Sequence, residues 1–563
     1  MRRGWPPPFS FLLLLLPVAA ARGLVSRVGS CNPETAVRLR PTVSMSPRNL
    51  RRYTLQPRAR FRLTEDSVDK MAAEVDALIA TYDLRQPKKT RGSSAANNWM
   101  EGINGLRDIS QPVALTDEMT QIRNDGKQIL EEMNLPHKKA EPYRFLNLRR
   151  LYNHKFEQAS GDVDLKVLEA GFQEETDGYR QVFVDGVFSD EYSSFSNDLP
   201  DGAYVGGLQN LPDRFRDDVI EQLGIVHEDL YGSKFFSALN KANIRDVAVI
   251  AIPEGVKLTE PLQITFYSSP SKEKEKHSSA NFPRIVVLSG KDSKATVYIN
   301  HMGGRNAQYQ SNPVTTVKLQ DGSEFNMFSQ IQHSKNAVHV EAVNATILND
   351  AKFVWRGLLN GGTLSRVNLA VDLTGDDAEC DLVGASLAND GAQMDIHTMM
   401  RHTGKRGVSK QEHRSMIGDR AHAIFRGQVL IKKPAIGCEA DQQSRALLLS
   451  DTGTVDQMPT LVVEPDDVEG AAHGSTVSDL QGEELFYMMC RGISEETAKI
   501  MLTKGFIRHI IQEFPFENMK ARLMDQITEV AHSASVQWRY TDIEGDEFFD
   551  GFMARDEEMA GVF

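Results

Sequence analysis

Residues 285–299 read IVVLSGKDSKATVYI, 314–328 read VTTVKLQDGSEFNMF, 343–355 read VNATILNDAKFVW and 367–383 read VNLAVDLTGDDAECDLV. Each is a run of Val, Ile, Thr and Phe, then a polar turn, then a second such run, which is strand chemistry punctuated by turns. The turns centre on Asp292, Asp321, Asp350 and Asp377, with Lys405 next in register, at steps of 29, 29, 27 and 28 residues. Self-similarity at a fixed step of this size marks a solenoid. With strands as the repeating element, each rung buries its inner face on the next. The predicted fold is therefore mainly β: a right-handed parallel β-helix over 246–473, flanked by N-terminal and C-terminal α-helical domains. The competing architecture is a β-sandwich with accidental spacing.

Outward from this core, residues 63–245 form an N-terminal helical and mixed domain. Val68, Met71, Ala72, Val75, Leu78 and Ile79 fall at helical spacing over 64–82. A polar loop is expected from there to about 114, then a helix over 116–134 with Met119, Ile122, Leu130 and Met133 on one face. On the other side, 474–520 reads as a C-terminal helical domain. Ser478 and Gln481 fit a capping box, Gly492 suits a helix stop, and Ser494 caps a helix that should end before Gly505. Residues 521–563 form an acidic tail, with eight acids against Arg555 after 541.

Charge is unevenly placed. Residues 1–62 hold twelve Arg, no Lys and one acid, Glu34, so +11; the whole chain is −13, which leaves −24 on 63–563. A body that acidic argues against nucleic-acid binding, which needs phosphate neutralisation. Arg2 and Arg3, the apolar run Phe9–Leu16 and the small residues Val18–Ala21 form a signal peptide over 1–21. Residues 22–62, rich in Arg, Ser, Thr and Pro, have the composition of an organelle transit peptide. Together they resemble the bipartite leader of a complex plastid; a secreted protein with a basic linker is the alternative. No later stretch approaches the roughly 18 apolar residues of a membrane span, so no membrane partner is expected. Cys31, Cys380, Cys438 and Cys490 include no C-x-x-C pair, which fits a reducing compartment.

Catalytic motifs are missing from the sequence. There is no G-x-x-x-x-G-K-[ST] loop, no H-E-x-x-H and no G-x-S-x-G. His301, His333, His339, His397, His402, His413 and His422 crowd the repeat region and could converge across rungs, but each reads first as a hydrogen-bonded histidine. A ladder of Asp292, Asp321, Asp350 and Asp377 could serve a secreted polysaccharide-active β-helix enzyme. Asp at a tight turn has a backbone reason of its own.

The stretch 425–476, FRGQVLIKKPAIGCEADQQSRALLLSDTGTVDQMPTLVVEPDDVEGAAHGST, resembles the SufB/SufD family, and within it the SufD branch. The features are F-x-G-x-V, L-L-L-S-D, P-x-L, D-D-V before H-G-S-T, and Leu485-Phe486-Tyr487 with Arg491-Gly492-Ile493. Ile252-Pro253-Glu254-Gly255-Val256 and Phe183-Val184-Asp185-Gly186 extend the likeness to about 180–515. The resemblance implies a non-catalytic scaffold subunit for iron–sulfur cluster assembly. It would pair with a SufB-like subunit through the β-helix and bind a SufC-like ATPase through about 478–513. It implies no stably bound cofactor in the isolated chain. A transient iron–sulfur cluster would be shared with SufB, touching His473 of the H-G-S-T motif as a metal ligand. Ser444 lies in a stretch, 442–449, without the Cys expected of SufB, which fits the SufD branch. Two departures matter: Gly470, Ala471 and Ala472 stand where the branch commonly has a Cys before that His, and the gap from D-D-V to it is one residue longer. Cys438 and Cys490 are expected to be buried structural thiols.

Overall fold

The computed structural model describes residues 93–195, 199–226, 231–273, 277–480 and 482–533. The leader assigned to 1–62, the helix expected over 64–82 and the acidic stretch after 541 lie outside the described residues.

Two parallel sheets grow together as the chain winds. The first takes Leu262–Ser268, Lys294–Gly303, Glu324–Ile331, Lys352–Leu359, Glu379–Ala388, Val408–Ile417, Glu439–Leu448 and Gly470–Asp479, in spatial order. The second takes Ala248–Ile252, Arg284–Ser289, Val314–Leu319, Val338–Ile347, Leu364–Leu373, Gln393–His402, His422–Ile431 and finally the short strands Thr454–Gln457 and Thr460–Val463. Each circuit thus adds one strand to each sheet, a parallel β-solenoid. Register follows the sequence period: Phe325 pairs with Phe353, and Phe353 with Cys380. Side chains alternate between faces, so Val297, Met327, Trp355 and Leu382 stack inside and are at most 1% exposed.

The repeating turns make one corner of the coil. Asp292, Asp350, Asp377 and Arg406 have φ of 53°, 53°, 56° and 55°, and Gly322 and Gly437 sit in the same left-handed region. Each of these residues donates its N–H to a carbonyl of the next rung: Asp292 to Asp321, Gly322 to Asn349, Asp350 to Asp376, Asp377 to Lys405, at 2.8–2.9 Å. Asp tolerates this conformation better than most residues. Two of the expected centres shift by one: the left-handed residues are Gly322 and Arg406, not Asp321 and Lys405.

The sheets extend beyond 246–473 at both ends. Tyr179–Val184 joins the first sheet in parallel beside Leu262–Ser268, and Tyr204–Gly206 pairs antiparallel with Ala248–Ile252. At the far end the strand Gly470–Asp479 contains Ser478, which therefore caps no helix.

The expected loop before 114 holds a helix, Ser94–Ile109. The Ser93 side chain caps it by accepting from Ala96 N, and Ala96, Trp99 and Ile103 are its buried face. The next helix, Thr116–Glu132, falls where the periodicity puts it. With Ser233–Asn243 these helices cover the outer face of the second sheet; Trp99 and Phe236 pack with Val338, Val340 and Leu364. The C-terminal helices Glu495–Gln512 and Glu517–Ser533 cover the first sheet, where Ile507, Ile511, Phe516 and Ile527 meet Tyr298, Phe328 and Leu358. Ser494 does cap the first of them, but that helix runs through Gly505 to Gln512, because Ile507 and Ile510 anchor it to the sheet. Its partner continues past 520 to Ser533.

Candidate functional site

His473 lies near the middle of Gly470–Asp479, the terminal strand of the first sheet, and is exposed. Its register explains what it faces. His473 pairs with Gln442, Gln442 with Gln411, Gln411 with Leu382, and Leu382 with Trp355. Leu382 and Trp355 are core residues, so this whole column points into the lumen. The parallel column two residues on runs Ser475, Ser444, His413, Gly384, Gly357. The first column therefore changes from Trp355 and Leu382 to Gln411, Gln442 and His473, and the second from glycine to His413, Ser444 and Ser475.

Contacts across the lumen are sparse. Thr398 Oγ1 donates to Gln411 Oε1 at 2.8 Å, and Gln442 Nε2 reaches the same oxygen at 3.4 Å. Ser475 Oγ donates to Gln457 Oε1 from the opposite sheet. Gln411 Nε2, Gln442 Oε1, Trp355 Nε1 and both ring nitrogens of His413 are buried without a protein partner. Burial pushes the His413 imidazole down to about 3, so it is neutral near pH 7. Gly384 and Gly427 make room here: a Cβ at either would collide with His413 or Gln442. Among the described residues no strand pairs with the outer edge of Gly470–Asp479. Val463 and Val477, 39% and 49% exposed, follow core columns that stay buried one rung earlier, through Ile431 and Ala446.

The histidines of the repeat separate into distinct settings. His301, His333 and His339 do converge, inside the early rungs. Tyr309 Oη lies 3.1 Å from His333 Nδ1, His333 Nε2 2.9 Å from His339 Nδ1, and His339 Nε2 3.3 Å from Glu341. His301 Nε2 is 3.7 Å from the other oxygen of Glu341. Burial alone would raise Glu341, but the imidazoles of His301 and His339 hold it down to about 2; burial lowers His339 to about 4. Glu341 is the member sequence reading missed; its signal was a charge at an inward position of an alternating strand. Elsewhere His397 contacts Asp395 at 2.6 Å, beside Arg366. His402 reaches Ser409 at 2.8 Å, and His422 reaches Asp456 at 2.7 Å.

Of the cysteines, Cys380 and Cys438 are buried, and burial pushes both thiols up. Cys490 is exposed. The expectation of a buried thiol fails there because Cys490 follows the last turn of the helix Gly482–Met489, beyond the contact that Leu485 makes with the core. The turn acids line one shallow surface, but as turn elements. Asp321 Oδ1 accepts from Asn349 N and Nδ2, Asp376 Oδ1 accepts from Lys405 N, and Asp377 is paired with Arg406. A second surface is apolar: Phe486, Tyr487, Met489 and Met501 on the C-terminal helices are 45–58% exposed.

Two family models match. The SufBD protein N-terminal region covers 109–264, and the SUF system FeS cluster assembly, SufBD core domain covers 271–506. The chain belongs to the SufB/SufD family and is SufD-like within it. It is similar to Protein ABCI7, chloroplastic, of Arabidopsis thaliana: 26% identical over 73% of this chain and 85% of that one. The iron-sulfur cluster assembly protein SufD of Escherichia coli is 22% identical over 71% of this chain and 90% of its own. The SufD protein of Plasmodium falciparum is 27% identical over 45% of this chain and 17% of its own.

Proposed function

We propose that this chain is a non-catalytic scaffold subunit for iron–sulfur cluster assembly, working in a plastid, and that it pairs with a SufB-like subunit through the open end of its solenoid. The observation that carries this reading is the last rung: among the described residues its ten-residue strand has one paired edge, the flanking core columns end in exposed Val463 and Val477, and His473 sits near its centre. Repeat proteins need their ends covered, and an unpaired edge is a template for another chain's strand. A partner strand there would bury the edge and bring its own ligands opposite His473. A neutral imidazole is a suitable iron ligand, and it would complete a site otherwise built by the partner. The nascent cluster is cargo, held during assembly and released. The apolar surface of Phe486, Tyr487, Met489 and Met501 suits docking of a SufC-like ATPase. Plastid residence rests on the two-part leader and on the chloroplastic relative.

The test is reconstitution with SufB-like and SufC-like subunits. His473→Ala should leave the complex intact and reduce cluster formation; unchanged formation removes His473 from the site. Failure of the mature chain to associate with either subunit under reducing conditions refutes the scaffold reading.

A further inference from the structure

The strongest feature that cluster assembly leaves unexplained is a cationic cavity on an acidic protein. Residues 63–563 carry a net charge of −24. Yet a cavity of about 360 Å³, where the short helix Leu148–Tyr152 meets the second sheet, is lined by Lys138, Arg144, Arg149, Arg150, Arg420 and His422, with no carboxylate in its wall. That volume falls in the range of small-molecule sites, about 300–1,000 Å³.

The wall is fixed. Arg150 donates to the carbonyls of Thr363 and Gly391, clamping the helix to two rungs. Gln393 accepts from Asn147 N at 2.8 Å and donates to Phe145 O at 2.7 Å, while its amide contacts His422 Nδ1 at 3.3 Å. His422 in turn holds Asp456, the nearest acid in this network, at 2.7 Å. Among the described residues Lys138, Arg144, Arg149 and Arg420 form no ion pair, although Arg144 lies over the Phe145 ring at 5.5 Å and acids elsewhere pair with Arg356, Arg406, Arg414 and Arg426. Asp390 and Asp419, neighbours of Gly391 and Arg420 in the chain, do not line the cavity. Four unpaired cations and a structural arginine around one concavity repel one another until an anion enters.

We propose that this cavity binds a small phosphorylated ligand through a diphosphate-sized group. Guanidinium forks suit phosphate oxygens bidentately, and a compact concavity suits a compact polyanion better than an extended acidic chain. The ligand site is separate from the open end at His473.

The mature chain is titrated calorimetrically with inorganic pyrophosphate at physiological salt, alongside Arg149→Gln/Arg420→Gln, which leaves Arg150 and its clamp in place. The expected result is saturable binding of one pyrophosphate per chain, weakened at least about tenfold in the double variant, whose melting without ligand is unchanged. A Glu-rich peptide provides the second arm. Absence of pyrophosphate binding, equal binding by the variant, or a Glu-rich peptide that binds more tightly and displaces pyrophosphate would each overturn the proposal; the last would make the cavity a docking surface for acidic polypeptide. None of these outcomes touches the scaffold reading, which is scored by association with the SufB-like subunit.

Discussion

Lowering the pH from 7 to 5 should bring this fold close to unfolding, through histidines held neutral inside it. His339 and His402 are pushed down to about 4 and His413 to about 3, in each case mainly by burial, against 6.5 for an ordinary imidazole. The folded-state value is depressed, so the unfolded chain binds more protons. The stability these groups contribute is present above pH 6.5 and is lost as pH falls toward their folded values. At pH 5, about 1.5 units below the unfolded value, each costs about 2 kcal/mol at about 1.4 kcal/mol per unit. Three together remove about 6 kcal/mol, comparable with a typical total stability of about 5–15 kcal/mol. Glu341 works in a lower window. Held down to about 2, it adds stability above its ordinary value of 4.5 that is lost only below it, so it does not share in the first loss. Urea unfolding followed by circular dichroism at pH 8, 7, 6 and 5 measures the slope, and His402→Asn should flatten it by about one proton's worth. Stability that stays constant from pH 7 to 5, or an unaltered slope in the variant, would show that these imidazoles are not neutral and buried.

Trp99→Ala should cost about 3–5 kcal/mol, since Trp99 is fully buried and its Nε1 donates to Gln310 at 2.9 Å; chemical denaturation checks it. At the corner, Asp350→Val should destabilise by about 1–2 kcal/mol while Asp350→Gly is near neutral, because φ is 53° there; equal melting of the two variants would contradict the left-handed turn. Tyr487→Asp with Met501→Asp should abolish capture of a SufC-like ATPase while leaving pairing with the SufB-like subunit, as read by size-exclusion chromatography of the mixed subunits.

The solenoid was legible because its two determinants are local and periodic. Alternation decides which side chain enters the lumen, and Asp or Gly at a recurrent position decides where the chain turns. Asp292, Asp350 and Asp377 lie at the left-handed residue itself; Asp321 missed by one because Gly322 takes that conformation at less cost. What was not legible depended on other parts of the molecule. Ser94–Ile109 reads as loop because Ser94, Asn97, Asn98, Asn104, Gly102 and Gly105 are poor helix formers, and its stability comes from Trp99 and Ile103 against the helix containing Phe235. The helix through Gly505 is an instance of the same rule: a glycine stop signal yields where the following turn, Ile507 to Ile511, is buried on a sheet.

The candidate site shows the same division more sharply. His473 was visible only through a family motif, since one histidine in a polar strand has no chemical signature. Its surroundings were visible in principle, because Gln411, His413, Gln442 and Ser444 occupy positions that alternation assigns to the lumen. A polar residue at such a position is expensive unless something compensates it. In the early rungs hydrogen bonds link His333, His339 and Glu341, while both ring nitrogens of His301 make none and its Nε2 stands 3.7 Å from Glu341. In the last rungs Gln411, His413 and Gln442 also leave hydrogen-bonding atoms unmatched, and the column leads outward to exposed His473 on the last strand of the first sheet. One column of the lumen is apolar through Val297, Met327, Trp355 and Leu382 and turns polar at Gln411, Gln442 and His473. The polar change along this column leads to the exposed edge strand Gly470–Asp479, where the proposed pairing with a SufB-like subunit would place its partner.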